Sequence, residues 1–557
     1  MPQSNFLAAV STTPCFRRLC AMHPLSVKLH PVETLPVKEI PVSKTKPILV
    51  AVLILAGAFA PTAHAANFIV NSPADTVDIN PGDGACADAS AKCTLRAAIM
   101  EANALAGPST ITLPVGTHIL TIVGIGEDAA ATGDLDIKGN LTINGAGAAS
   151  TIIDGGGIDR VFEILPLAIV MIDAVTVRNG NVDNGGGVSN QGILSMTNTI
   201  VTGNSATGGG GIWNNGGTLT IASSTITNNN TFYYGSGVWN YGGNLTMTDS
   251  TVSGNSGGGY RCGGVASVGG SATLSNTTIN GNTSSGQGAG GFLNWSSAST
   301  VVNSTVSGNT GNGYGGGLVN VYSGTLTLVN VTVSGNNDIS AAGGISTDSG
   351  AVNLKNTIVA SNTTGANNSP ANCSGTITSL SHNLVSDSTC NLNGTGDLIN
   401  PIPVMGQLAN NGGRTMTHAL LPGSPAINAV PVSACTDLNG APIATDQRGI
   451  PRPQGPACDI GAFELVATPQ GNTAVIITQV QVLVAAGTLT PNQAAGLIDK
   501  LNQIIAKLNN GQPGLACNQL SAFINQVKGF VNSGVLTPTQ GQALINPASA
   551  IKTQIGC

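Results

Sequence analysis

The side chains best suited to acid–base chemistry lie in the first part of the chain. The charged residues that cluster there are Asp134, Asp136, Asp154, Asp159, Arg160, Glu163, Asp173, Arg178 and Asp183. Glycoside hydrolysis needs two carboxylates roughly 5–9 Å apart. A polysaccharide lyase needs a positioned base and a cation, such as Ca²⁺ or Arg, that neutralises a uronate. The candidate catalytic residues are Asp154, Asp159, Asp173 and Asp183, and nothing in the sequence supports a bound metal or other cofactor.

The same acidic residues have an explanation that involves no chemistry. Asp–Gly turns and charges at strand edges keep sheets from associating end to end. The region from Gly180 to Gly365 contains no His and no Glu, and its charged residues are Asp183, Asp249, Arg261, Asp338, Asp348 and Lys355. This inventory is poor for catalysis, so polysaccharide cleavage stays the alternative hypothesis.

The aromatic residues point to binding. All three Trp and all six Tyr lie between residues 213 and 322. The candidate ligand-binding residues are Trp213, Trp239, Tyr241, Trp295 and Tyr314. Trp213 and Trp239 should point outward on adjacent coils, and Tyr241 and Trp295 should share the next outward column. An exposed aromatic strip suits stacking on sugar rings or on an apolar partner. Alternatively, these rings shield a Gly-rich edge or pack under a side loop.

A repeat positions these residues. Asparagines end successive short runs at spacings of 25 to 27 residues: Asn179, Asn204, Asn229, Asn255, Asn282, Asn309, Asn336 and Asn362. A fixed period of this size indicates a solenoid. Alternating runs such as 218–221 predict strands with one buried face, and no helical segment separates them. Each strand should pair with its equivalent one period away, which predicts a parallel β-helix.

The asparagine columns have a structural role in this fold. Asn tolerates the left-handed backbone conformation, and stacked Asn amides form hydrogen-bonded ladders. A second inward column is predicted two residues after the buried apolar position: Asn190, Asn214, Asn240, Asn294 and Asn320, interrupted by Ser267 and Thr347.

Composition agrees with a long, uniform β structure. Of the 557 residues 8% are charged and 41% are hydrophobic, 75 are Gly, and the formal net charge is −6. An acidic balance without a basic patch argues against nucleic acid as a partner.

The first 65 residues predict a secretory signal peptide. Lys44 and Lys46 precede the apolar run 48–60, and 63–65 supplies a small-x-small cleavage site. Residues 1–21 are a possible misassigned start, because Met22 could begin translation. No later stretch is long and apolar enough for a membrane helix. The expected location is extracellular or at the cell surface.

Nine cysteines follow the predicted cleavage site, which in an exported protein implies disulfides. Proximity in the sequence predicts the pairs Cys86–Cys93, Cys373–Cys390, Cys435–Cys458 and Cys517–Cys557. Cys262 is left over.

The N-terminal cap is predicted at 66–110, where Leu95, Ile99, Ala102 and Leu105 fall on one face of a helix. A motif here resembles the CSLREA motif of bacterial exported right-handed parallel β-helix proteins: Cys93-Thr94-Leu95-Arg96-Ala97-Ala98-Ile99. It departs from that family at Thr94 and Ala97. The resemblance continues through the coils and implies a pectate-lyase-like solenoid over 111–400.

Residues 401–467 resemble the choice-of-anchor Q region that closes such solenoids. The motifs that carry this resemblance are Leu408-Ala409-Asn410-Asn411-Gly412-Gly413, Thr445-Asp446-Gln447-Arg448-Gly449 and Cys458-Asp459-Ile460-Gly461-Ala462-Phe463-Glu464. Its acidic and Arg residues are expected to form a buried network.

Residues 472–557 predict a small all-α module of four helices. The segments beginning at Ile477 and Ile524 repeat after 47 residues, and each copy contains a Thr-Pro-x-Gln capping box. The module resembles the FIMAH-type helical domain. Pro547 predicts a late start or a kink in the last helix.

We therefore expect an exported protein that consists of an all-β solenoid and a helical module. Its expected function is to bind a polysaccharide or a surface protein. The oligomeric state is left open.

Overall fold

The computed structural model describes residues 65–258, 261–466 and 468–557, so nearly all of the predicted signal segment lies outside the described residues. The chain forms a parallel β-solenoid of about ten turns, followed by four helices, which confirms the predicted fold class.

Four sheets run along the solenoid. Sheet A contains Ala66–Ile69, Ser109–Leu113, Leu141–Gly145, Ile169–Asp173, Ile193–Thr197, Thr218–Ala222, Asn244–Thr248, Ser271–Ser275, Ala298–Val302, Thr325–Val329, Ala351–Lys355 and Ile377–Ser381. Sheet B contains Gly116–Ile119, Thr151–Asp154, Thr176–Arg178, Ile200–Thr202, Thr225–Thr227, Thr251–Ser253, Thr278–Asn280, Thr305–Ser307, Thr332–Ser334, Ile358–Ala360, Leu384–Val385 and Leu398–Ile399. Alternate residues of these strands are buried, as the period-2 pattern predicts.

Sheet C contains Leu135–Ile137, Phe162–Ile164, Val188–Asn190, Ile212–Asn215, Val238–Tyr241, Val265–Val268, Phe292–Trp295, Leu318–Val321, Ile345–Thr347 and Cys373–Ser374. Sheet D contains Asn181–Asn184, Ser205–Gly208, Asn230–Tyr234, Ser256–Gly257, Thr283–Ser284, Thr310–Gly311, Asn337–Asp338, Thr363–Thr364 and Ser369–Pro370. Beside them, sheet E contains Arg261–Cys262, Gly288–Ala289 and Gly313–Gly315.

The Asn ladder is present, with one correction. From Asn204 to Asn336, each side-chain amide donates to the next Asn Oδ1 at 2.9–3.0 Å. Strand register places Arg178 beside Thr202, so Gly180, not Asn179, precedes Asn204 in the column. Asn179 occupies a left-handed turn position with φ 57°.

The second inward column is also present. Asn190 donates to Asn214 at 2.6 Å, Asn214 donates to Asn240 at 2.7 Å, and Asn240 donates to Ser267 Oγ at 3.1 Å. These side chains are fully buried, so the ladder satisfies amide groups that would otherwise be costly inside the solenoid.

Helix α1 (Leu95–Ala104) has Thr94 as its N-cap, and the Thr94 hydroxyl accepts a hydrogen bond from Ala97 N. The motif arginine, Arg96, is buried and pairs with Asp75 at 2.6 Å. It also donates to the carbonyls of Ala130 and Gly133, so it ties the helix to the first coils.

Residues 401–465 fold back along the outer side of sheet B. They include sheet F (Met405–Ala409 and Thr417–Leu420) and a 3₁₀ turn at Val432–Ala434. Contacts to sheet B recur over several coils: Gln447 donates to Thr278 Oγ1 at 2.9 Å, and Ala462 N donates to Thr332 Oγ1 at 3.0 Å. This segment therefore covers a side of the solenoid.

The helical region contains α2 (Pro469–Ala485), α3 (Pro491–Asn509), α4 (Pro513–Asn532) and α5 (Pro538–Gln554). Capping boxes at Thr490 and Thr537 begin α3 and α5, as predicted. Helix α5 begins at Pro538 and continues past Pro547, so the predicted late start is wrong.

All four predicted disulfides are present: Cys86–Cys93, Cys373–Cys390, Cys435–Cys458 and Cys517–Cys557. Among the described cysteines, Cys262 is the one outside a disulfide. Among the helices that the structure describes, none combines the length and apolar character of a membrane span.

Candidate functional site

One outward column of sheet C joins the two sets of residues that could carry function. Strand register aligns, on successive coils, Asp136, Glu163, Ser189, Trp213, Trp239, Ala266, Leu293 and Val319. Strands of neighbouring coils lie about 4.8 Å apart. The acidic first coils and the aromatic coils therefore form one continuous surface, which we call the sheet C column.

The acidic end of this column is a compact network. Carboxylate oxygens of Asp134, Asp136 and Glu163 lie within 4.8 Å of one another. Arg160 pairs with Asp134 at 2.7 Å and with Glu163 at 3.2 Å. Burial raises the pKa of Asp134 to about 8 and the pKa of Asp136 to about 7, although Arg160 opposes the first shift.

This network is better suited to holding the first coils together than to holding a metal. Ca²⁺ takes six to eight oxygen ligands, whereas one oxygen from each of three carboxylates converges here. The guanidinium of Arg160 already supplies positive charge to two of them. Because burial favours the protonated forms of Asp134 and Asp136, the network carries less negative charge near neutral pH than its composition indicates.

The four candidate catalytic carboxylates lie in different environments. Asp154 ends a strand of sheet B and pairs with Arg178 at 2.8 Å. Asp173 ends a strand of sheet A and accepts a hydrogen bond from Asn198 at 2.9 Å. Asp159 and Asp183 line a common groove. The structure thus brings together two of the four candidates.

Trp213 and Trp239 stack on each other, with ring centroids 5.7 Å apart and an interplanar angle of 19°. Tyr234 stacks on the Trp239 ring at 5.0 Å, and Tyr241 lies 5.6 Å from it. Trp239 is only 9% exposed, whereas Tyr241 is 49% exposed. The expectation that both Trp rings form an exposed strip is wrong for Trp239.

The burial of Trp239 has a clear cause. Sheet D approaches the ring so closely that a Cβ atom on Gly208 would lie 2.5 Å from Trp239 Cζ3. The ring belongs to an apolar cluster outside the solenoid core, with Cys262, Ala266, Val268, Ala289, Leu293, Val319 and Val321. The alternative that these rings shield a Gly-rich edge therefore accounts for Trp239, and the edge is a strand of sheet D.

The remaining aromatics lie further along the same sheet. Tyr241 and Trp295 share the second outward column, as predicted. Trp295 stacks on Tyr322 with ring centroids 4.1 Å apart, and Tyr322 is 45% exposed. Tyr314 lies in sheet E and packs against the apolar cluster.

A groove of about 430 Å³ opens beside the sheet C column. Its lining residues are Ile125, Gly126, Ile158, Asp159, Arg160, Asn181, Val182, Asp183, Asn184 and Trp213. It combines one aromatic ring with carboxylates and amides, the mixture of apolar walls and a few polar groups that small-molecule sites use. We call it the sheet C groove.

Three successive residues of the column have polar atoms without a partner among the described residues: Ser189 Oγ, Trp213 Nε1 and Trp239 Nε1. Ser189 is fully buried and Trp239 is nine-tenths buried. Buried polar groups in folded proteins are normally hydrogen-bonded to protein or to ordered water, so bound water is expected at these three atoms.

The sequence missed how Asp136, Glu163 and Ser189 relate to the aromatic residues. Their alignment in one column depends on the strand register of the early coils. That register is hard to read from the sequence, because turn lengths vary before the regular repeat begins. Gln191, which donates to Glu163 Oε1 at 3.3 Å, carries no distinctive signal either.

Comparison with models of known protein families, with curated proteins and with solved structures finds no match to this chain.

Proposed function

We propose that this protein is an extracellular or cell-surface binding protein that contacts a glycan or a protein partner through the sheet C groove, which Trp213 lines, and the neighbouring Tyr241 ring. The observation that carries the proposal is the Trp213 ring, which lines a groove that also holds carboxylates and amides. Aromatic rings stack on sugar faces while polar groups orient the hydroxyls. The parallel solenoid supplies a rigid support for this surface.

The proposed location rests on two features of the chain. Four disulfides are present, and disulfides persist mainly in oxidising compartments. The first 65 residues have the charge pattern, apolar run and cleavage site of a secretory signal. The CSLREA-like, choice-of-anchor Q-like and FIMAH-like assignments, with their boundaries at 66–110, 401–467 and 472–557, belong to the same proposal.

The test is a binding screen with the purified protein against neutral, acidic and basic glycans and against extracellular protein extracts. The key variant is Trp213→Ala, with Tyr322→Ala as the control because Tyr322 is exposed but lies outside the groove. Both variants should keep the circular dichroism spectrum of the solenoid. We expect binding that is lost in Trp213→Ala and retained in Tyr322→Ala.

Binding that survives Trp213→Ala would assign the ligand to another surface. An absence of binding to every glycan and every protein fraction would contradict the proposed function.

The second candidate function is polysaccharide cleavage, as a lyase or a glycoside hydrolase. The observation that favours it is that Asp159 and Asp183 line one groove, because such chemistry uses paired carboxylates. New reducing ends or unsaturated products from a glycan panel, abolished by Asp183→Asn, would establish it. Product formation unchanged in that variant would exclude the groove as the catalytic site.

A further inference from the structure

The charge of the sheet C groove restricts what it can bind. Among the described residues that line it, Asp159 and Asp183 are acidic and Arg160 is basic. Arg160 lies 3.2 Å from Glu163 and 4.0 Å from the buried Asp159, so its charge is already paired within the protein. Asp183 is exposed on the strand that forms one wall. The negative charge that the groove presents to a ligand is therefore that of Asp183.

The coils around the groove have the same sign. Residues 121–213 contain nine acidic side chains and three basic ones, Lys138, Arg160 and Arg178, so the region stays acidic even when Asp134 and Asp136 are protonated. A cleft lined by one sign of charge concentrates ligands of the opposite sign and repels those of the same sign. A uronate oligomer without a bound cation is disfavoured, whereas a ligand with positive charge is favoured.

The polar and aromatic groups indicate a saccharide as the carrier of that charge. The Trp213 ring lines the groove together with the amides of Asn181 and Asn184. Trp is the best aromatic partner for a cation within about 6 Å of the ring centroid. The side-chain amides of Asn181 and Asn184 supply hydrogen-bond donors and acceptors for sugar hydroxyls.

We propose that the sheet C groove binds a saccharide with protonated amino groups, such as an oligomer of glucosamine. The ammonium group lies between the Asp183 carboxylate and the Trp213 ring, and the sugar hydroxyls contact the groove amides. The groove volume of about 430 Å³ lies within the range of roughly 300–1,000 Å³ that small-molecule sites occupy. This inference rests on the proposed binding function and specifies its ligand class.

The test is calorimetric titration of the purified protein at low ionic strength with three tetramers: glucosamine, N-acetylglucosamine and galacturonate. We expect the glucosamine tetramer to bind at least about tenfold more tightly than the other two. Added salt should weaken the binding, because screening acts on exposed charges over about 10 Å at 0.1 M.

Two variants test whether the Asp183 carboxylate is the charge that binds the ligand. Asp183→Asn should weaken binding of the glucosamine tetramer about two- to fivefold, the range expected for one exposed ion pair. Asp348→Asn is the matched control, since Asp348 is an exposed carboxylate outside the groove, and it should leave the affinity unchanged.

Every other outcome overturns the inference. Equal binding of the N-acetylated tetramer, or tighter binding of galacturonate, would leave the proposed binding function standing but remove its cationic ligand. Binding of a lysine-rich peptide in place of any saccharide would replace the ligand class. An absence of binding to all of these, and to the wider glycan and protein screen, would contradict the proposed function as well.

Discussion

Replacing one ladder asparagine should destabilise the solenoid locally and measurably. Asn282 is fully buried, and its Oδ1 accepts hydrogen bonds from the backbone N–H and the side-chain amide of Asn255 at 3.0 and 2.9 Å. Its own amide donates to Val252 O and to Asn309 Oδ1, both at 3.0 Å. Asn282→Ala removes all four of these bonds.

The magnitude follows from the groups that lose a partner. Two donors of Asn255 become unsatisfied, and each buried unsatisfied group costs about 1–3 kcal/mol. The polar space left by the side chain is suitable for a bridging water, which lowers the total. We expect a loss of about 2–4 kcal/mol in local stability, a change that speeds exchange by roughly two to three orders of magnitude.

Native-state hydrogen exchange measures this loss at individual amides. The Asn255 amide should exchange faster in Asn282→Ala, whereas amides several coils away should be little affected, because solenoid stability is mostly local. Asn244→Ala is the control, since Asn244 is exposed on sheet A. Unchanged protection of Asn255 in Asn282→Ala, or an equal loss in the control, would refute the role assigned to the ladder.

Three further predictions test the surroundings of the site and the helical region. Gly208→Ala should shift the tryptophan emission, because the new Cβ would lie 2.5 Å from Trp239 Cζ3 and displace the ring; an unchanged spectrum would contradict the packing. Burial raises the pKa of Asp134 from 3.8 to about 8, so its contribution to stability is complete below about pH 4 and is lost as pH rises to about 8. The melting temperature of the wild type should therefore fall between pH 4 and pH 8, and it should fall less in Asp134→Asn. An equally steep fall in the variant would contradict this assignment. Removing the Cys517–Cys557 disulfide, which spans 40 residues, should destabilise helices α2–α5 by about 4 kcal/mol. The helical circular dichroism signal should then be lost at a lower temperature, while the β signal is retained. An unchanged melting temperature of the helical signal would contradict this prediction.

Periodic and local features could be predicted from the sequence. The inward ladder follows from a repeat of 25 to 27 residues, and the disulfides join cysteines close in the chain. The misplacement of Asn179 shows the limit of the pattern. Asn suits both a left-handed turn and a ladder position, so residue type alone could not assign it. Only the register beside Thr202 does so.

Features that depend on non-periodic packing could not be predicted. The strands of sheet E are two or three residues long and rich in Gly, so no alternation of apolar and polar residues predicts them. They help to form the apolar cluster that buries Trp239. The placement of residues 401–465 on sheet B depends on contacts such as Gln447 with Thr278, which are 169 residues apart.

The candidate site was predicted in parts. Acidic and aromatic residues were identified separately, and neither pattern indicated that Asp136, Glu163 and Trp213 share one column. The groove beside Trp213 is lined by loop residues and by the first strand of sheet D, none of whose residues is buried, so no apolar pattern in the sequence predicts it. Its position could be recognised only from the three-dimensional structure.

The most direct test of the central claim is a titration of the purified protein with glucosamine tetramer followed by intrinsic tryptophan fluorescence. Trp213 lines the groove, whereas Trp295 stacks on Tyr322 three coils further along. We predict a saturable change in emission that is lost in Trp213→Phe and retained in Trp295→Phe. The absence of a saturable change, or a change that persists in Trp213→Phe, would contradict the account.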